Sequence, residues 1–161
     1  MTPRFFIPNY ELTKSIIEYA NGRIIIDLGC GSDAEFIQDL LKEGAKSVIG
    51  CDLFLDYTKV RAKTYQINSE ASVHLFPGSI EENFSMLSML AKHPKGALFL
   101  LCRPCHHYEL IDDAIAVSGD QEILYIGLEK NIEHDLSDYK FEQIELNGSS
   151  EDNEVILKII K

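Results

Sequence analysis

The chain contains no apolar run approaching the ~18 residues of a membrane-spanning helix, so no span is expected. Its first residues show no basic stretch leading into an apolar segment and a small-residue cleavage site, so no secretory leader is expected either. Basic side chains are scarce: 15 Lys plus Arg stand against 26 Asp plus Glu, a formal net charge of −11. The deficit is concentrated late, because residues 109–161 hold 4 basic and 14 acidic side chains. Such a surface repels polyphosphate, which argues against unaided nucleic-acid binding and leaves solvent or a partner protein with a basic face as its counterpart. Cysteine is also sparse. Residues 30, 51, 102 and 105 form no dense disulfide framework, which fits a reducing cytoplasm. Internal repeats, low-complexity tracts and flexible linkers are all missing.

What is present is a regular alternation. At 161 residues the expectation is a single domain over 1–161, large enough to bury a core. A short helix at about 11–20 buries Leu12, Ile16, Ile17 and Ala20 and stops at Asn21-Gly22. Continuously apolar segments follow at 23–28, 47–51, 72–76, 97–102 and 122–127. Helical patterns separate them at 34–43, within 56–65, at 80–92 and at 107–117. Apolar residues at consecutive positions suit strands covered on both faces, and this alternation specifies a parallel sheet sandwiched between helices. Ser79 and Glu82 have the spacing of a capping box for the helix at 80–92. A short helix within 132–139 precedes strands at 141–146 and 154–160. These two strands have no room for a crossover and pair as an antiparallel hairpin, giving about seven strands in all.

The most informative stretch is Ile24–Asp33, IIIDLGCGSD. Its strand ends in an acid and then turns on Gly29 and Gly31, where a β-carbon would obstruct a closely approaching ligand. The helix beyond aims its first amides at the same crevice, outside the carboxyl ends of the strands. Gly29-x-Gly31-x-x-Ala34 with Asp52 downstream satisfies a relaxed dinucleotide pattern. Asp27 argues differently. A carboxylate inside the loop repels a pyrophosphate and suits a cationic amino-acid moiety.

Asp27-Leu28-Gly29-Cys30-Gly31, with Asp52 ending the second strand and a terminal hairpin, resembles the class I S-adenosylmethionine-dependent methyltransferases. The resemblance implies a Rossmann-like three-layer αβα sandwich with S-adenosylmethionine as cofactor. It places the methionine part of that cofactor against Asp27, Gly29, Cys30 and Gly31, and the ribose hydroxyls on Asp52. Leu53 would flank the adenine and Ser79 stands where an acid often meets its amino group, while Cys102 lines the pocket through its backbone. Two positions depart from the family pattern: Asp33 replaces the third glycine, and Ser79 replaces the acid.

The segment after the fourth strand, Arg103-Pro104-Cys105-His106-His107-Tyr108, occupies the substrate edge of that family. It lacks the Asn/Asp-Pro-Pro-Tyr/Phe signature of nucleic-acid and protein-amide methyltransferases. His106 or His107 is a candidate base, Arg103 a candidate anchor for an anionic substrate, and Tyr108 a stacking or hydrogen-bonding group. The competing account has both imidazoles in solvent at a helix start. Cys102, Cys105, His106 and His107 crowd together with no second ligand pair, so no metal site is expected. The functional expectation is a cytoplasmic S-adenosylmethionine-dependent methyltransferase acting on a small molecule or through a partner. Two alternatives stand beside it: a noncatalytic binding or regulatory subunit of the same fold, and an NAD-binding oxidoreductase-like domain.

Overall fold

Strands without an alternating pattern need helices on both sides, and the computed structural model, which describes residues 4–104 and 108–161, supplies them. The elements run α1 (Tyr10–Ala20), β1 (Ile24–Leu28), α2 (Glu35–Lys42), β2 (Ser47–Asp52), α3 (Tyr57–Ile67), β3 (Ser72–Pro77) and α4 (Phe84–Ala91). They continue with β4 (Ala97–Cys102), α5 (Tyr108–Ser118), β5 (Glu122–Gly127), α6 (Glu129–Asp135), β6 (Lys140–Gln143) and β7 (Val155–Ile160). The seven strands form one sheet in the order β3-β2-β1-β4-β5-β7-β6. The first five are parallel, and β7 runs antiparallel to both β5 and β6.

Successive residues of the inner strands enter opposite cores. Ile25, Val48, Leu98 and Leu100 pack with Ile16, Ile37, Leu40 and Val60 of α1–α3. Ile24, Ile26, Ile49 and Phe99 pack with Leu87 of α4 and Ala114 of α5. The edge strand β3 is largely exposed, and all four residues of β6 are exposed. The order of strands reverses between β1 and β4, so the loops after these two strands diverge and open a crevice at the centre of the sheet. Among the described residues, no helix is long and apolar enough to cross a membrane.

The terminal hairpin forms, but its first strand is shorter than the expected 141–146. Ile144 still donates its amide to Ile156 at 2.9 Å, after which the chain leaves the sheet. Leu146 packs against the α1 side of the core, and the amide of Asn147 donates to Ser15 Oγ at 3.0 Å. The competing attraction is the N-terminal half of α1. Asn9 caps that helix by accepting from the Leu12 amide at 2.9 Å, and it also accepts from the Ser149 amide at 3.2 Å. The last helix is displaced as well: α6 spans 129–135 rather than lying within 132–139.

Gly148 is the contact that permits this docking. It has φ +90°, and a β-carbon there would lie 2.2 Å from the Leu12 amide nitrogen and 2.6 Å from Asn9 Oδ1. Gly148→Ala should therefore displace the α1 cap, with an expected loss of about 2 kcal/mol and a fall in Tm of roughly 4–8 °C. Thermal unfolding followed by circular dichroism checks this; an unchanged Tm would show that the loop can leave α1 at no cost.

Candidate active site

The crevice at the strand-order reversal is a cleft of about 630 Å³. Its floor is the Gly29–Gly31 turn. The amides of Gly29 and Cys30 both donate to the Cys51 carbonyl, at 2.7 and 3.1 Å, which ties the turn to the end of β2. Gly29 and Gly31 have φ +78° and +85°, and a β-carbon on Gly31 would meet no protein atom within 4 Å. The turn is thus open on the ligand side, and its glycines serve both backbone conformation and clearance.

Asp27 lies beneath this turn and is 1% exposed. Its Oδ1 is buried with no hydrogen-bond partner, while the Cys102 thiol hydrogen-bonds to the carboxyl group. Burial, followed by the nearby charge of Asp52, pushes its pKa up to about 8. Asp52 behaves differently: its Oδ2 accepts from the Gly31 amide at 3.0 Å and its Oδ1 from the Phe54 amide at 2.8 Å. It therefore holds the glycine turn against the second loop while remaining at the cleft surface.

Three thiols complete the wall. Burial raises the pKa of Cys30 and Cys102 well above the usual thiol value and that of Cys51 to about 12. They remain protonated at neutral pH and act as apolar lining rather than nucleophiles. Cys102 lines the cleft, and its thiol also hydrogen-bonds to Asp27.

The rim is assembled from separate loops. Leu53 and Phe54 stand exposed after β2, and Ile80 is buried beneath the opposite edge. Ser79 forms the expected capping box: its Oγ accepts from the Glu82 amide at 3.0 Å, and Glu82 Oε1 accepts from the Ser79 amide at 3.1 Å. The box closes only an isolated turn, and α4 begins at Phe84 rather than at 80. Asp33, in the third-glycine position, lines the cleft and pairs with Lys59 of α3 at 3.0 Å.

At the substrate edge, Arg103 has φ +49°, and its amide donates to the Ile126 carbonyl at 2.7 Å. Its guanidinium pairs with Asp152 at 3.2 Å and Glu154 at 3.0 Å, and lies 5.8 Å from the centre of the Phe5 ring. Cys105, His106, His107 and the Tyr108 side chain lie outside the described residues. Residues 4–6 also line the cleft, a role that sequence reading did not assign to them. Arg4 is held by Glu35 and Asp39 of α2, and Phe6 packs edge-on against Phe36. The only signal for them was an aperiodic greasy run before α1. The partly buried cations Arg4, Arg23, Arg103 and Lys158 all face carboxylates. Among the described residues, no cluster of His, Cys, Asp and Glu is arranged to hold a metal ion.

Comparison with known proteins agrees on one architecture. The chain superposes over 94% of its length on magnesium protoporphyrin IX methyltransferase from Synechocystis PCC 6803 with bound SAM, with a TM-score of 0.58, 14% identity and 79% of that chain covered. MtNAS in complex with MTA and tNA matches over 94% of this chain and 60% of its own, with a TM-score of 0.62 and 13% identity. The bifunctional kinase-methyltransferase WbdD matches over 92% of this chain and 37% of its own, with a TM-score of 0.56 and 15% identity. The chain has the class I S-adenosylmethionine-dependent methyltransferase fold. In sequence, it is 31% identical over 114 residues to the tRNA U34 carboxymethyltransferase of Psychromonas ingrahamii, covering 68% of this chain and 34% of that one. It therefore spans about a third of that curated relative's length. No family profile matches the chain.

Within this methyltransferase fold, Asp27 has a measurable signature. The folded, ligand-free protein keeps its proton up to about pH 8, whereas the unfolded chain loses it near 3.9. The contribution of this group to stability is fullest below about pH 4, falls as pH rises, and is gone above about 8. Asp27→Asn removes that loss. Its stability advantage over the wild type should widen between those limits and then level off, as measured by urea unfolding across pH. A constant difference would mean that Asp27 is already ionised in the native state.

Proposed function

We propose that this chain binds S-adenosylmethionine in the cleft and transfers its methyl group to a small acceptor. One observation carries the reading: a buried carboxyl oxygen without a partner, directly beneath a glycine turn left open to a ligand. An unpaired acid in this place calls for a cation, and an amino-acid ammonium meets the requirement. A dinucleotide pyrophosphate would instead meet the Asp52 carboxylate as a like charge and bring no cation to Asp27, which disfavours NAD.

The residue assignment follows from position. Asp27, with Gly29, Cys30 and Gly31, would hold the amino-acid end, and Asp52 would accept from the ribose hydroxyls. Leu53 and Phe54 on one side, and Ser79 with Ile80 on the other, would enclose the base. When bound, the cofactor supplies an activated methyl on a sulfonium, and the protein contributes alignment and exclusion of water. The Phe5–Phe6 strap and the apolar thiols provide the dry wall. On the acceptor side we assign Arg103 to positioning, His106 or His107 to accepting the acceptor's proton, and Tyr108 to contact with it. The acceptor enters alone or on a basic partner that meets the acidic 109–161 face.

The ion pairs of Arg103 favour a second reading, binding without turnover, because its charge is already satisfied by Asp152 and Glu154. Calorimetric titration with S-adenosylmethionine and its demethylated product, with NAD as control, tests the site independently of turnover. Saturable micromolar binding of the adenosyl ligands alone is expected. Asp27→Asn and Asp52→Ala should each weaken it by ~10-fold or more, and Gly31→Val should abolish it. Pairing with the ammonium requires Asp27 to lose its proton, so affinity should fall as pH drops below about 8. Binding at pH 7 should accordingly release a proton, seen as an enthalpy that depends on the buffer. Equal affinity in all three variants would remove the assignment.

A further inference from the structure

We infer that α4 is the contact surface of a twofold homodimer. The helix, Phe84–Ala91, contains no charged residue in a chain of net charge −11. It buries only Leu87 and Ala91, and leaves Phe84, Met86 and Met89 exposed at 42%, 49% and 67%. Ser85 lies between them on the outward side and is small enough to let a second backbone approach. Methionine pairs of this kind form adaptable apolar contacts, and solvent leaves their surface uncovered.

Charge at the two ends of the helix selects the occupant. Exposed Glu81 and Glu82 precede it, and exposed Lys92 and Lys95 follow it. Glu81, Lys92 and Lys95 make no ion pair among the described residues. Placed antiparallel against itself, the helix sets Met86 of one copy beside Met89 of the other. The same register sets Glu81 and Glu82 against the Lys92–Lys95 segment at both ends. The surface is thus complementary to itself, as an isologous contact requires. Its charges over 81–95 also cancel, so two strongly acidic chains can meet here without the repulsion that their other faces impose. A basic partner would choose the acidic 109–161 region instead.

Sedimentation equilibrium decides the matter. The wild type is expected to be dimeric, and Glu81→Lys and the Lys92→Glu/Lys95→Glu double variant should each raise the dimer dissociation constant ~10-fold or more. An equimolar mixture of the two variants should dimerise more tightly than either variant alone, because one end regains its full Glu–Lys attraction and the other, where Glu82 remains, is neutral. Met89→Glu should be monomeric, with an unchanged circular dichroism spectrum and Tm showing that these exposed substitutions leave the fold intact. A monomeric wild type overturns the proposal, as do dimers that persist in every variant or a mixture that stays monomeric. Wild-type monomers that sediment with anionic vesicles would give the face to a membrane and overturn it equally.

Discussion

The structure depends on keeping one acid, Asp27, out of water at the centre of a parallel sheet. Its strand is covered on both faces, so the carboxyl can receive neither solvent nor a full set of backbone donors. The protein answers with protonation and one thiol contact, and leaves Oδ1 buried without a partner in a residue that lines the cleft. A hydrophobic residue would be easier to bury at this place. Retaining an acid makes sense when a ligand completes its coordination.

The surrounding elements follow from that requirement. The strand-order reversal between β1 and β4 brings the ends of β1, β2 and β4 together, so Asp27, Asp52 and Cys102 converge from three separate segments. Two carboxylates this close would repel if both were ionised. The conflict is resolved by environment: Asp52 accepts from two backbone amides, whereas Asp27 is desolvated and holds its proton. The glycine turn lies between them and is fastened by Asp52 itself. A substitution at Asp52 therefore acts twice, on the ligand and on the loop.

Much of this was legible in the sequence because it rests on local patterning. The inner strands were visible as consecutive apolar residues, the loop as an acid and two glycines, and the capping box as Ser79 with Glu82. What escaped was decided by distant competition. The expected strand over 141–146 loses its end because Leu146 and Asn147 find better partners on α1. Asp33 stays in the cleft lining, but its charge is met by Lys59 on α3. Arg103 looked like a free anion anchor until Asp152 and Glu154, some fifty residues later, arrived beside it. No local periodicity encodes such pairings.

The electrostatic balance of the cleft constrains how methyl transfer would proceed in it. Its lining includes the acids Asp27, Asp33, Glu35, Asp52 and Asp113 and the bases Arg4 and Arg103. Both arginines are already neutralised by carboxylates. The lining holds more acids than bases, which favours a cationic donor over a phosphate. The same acids oppose catalysis if they act on the sulfonium, because transfer discharges that cation and a stabilised ground state raises the barrier. Under the proposed assignment the acids act on the amino-acid and ribose ends, where charge does not change during transfer. Asp27 and Asp52 fit that division, the first lining the cleft beside the glycine turn and the second accepting from the Gly31 amide. The methyl itself would then face the uncharged part of the wall, where protonated thiols and Phe5 have no charge with which to hold it back.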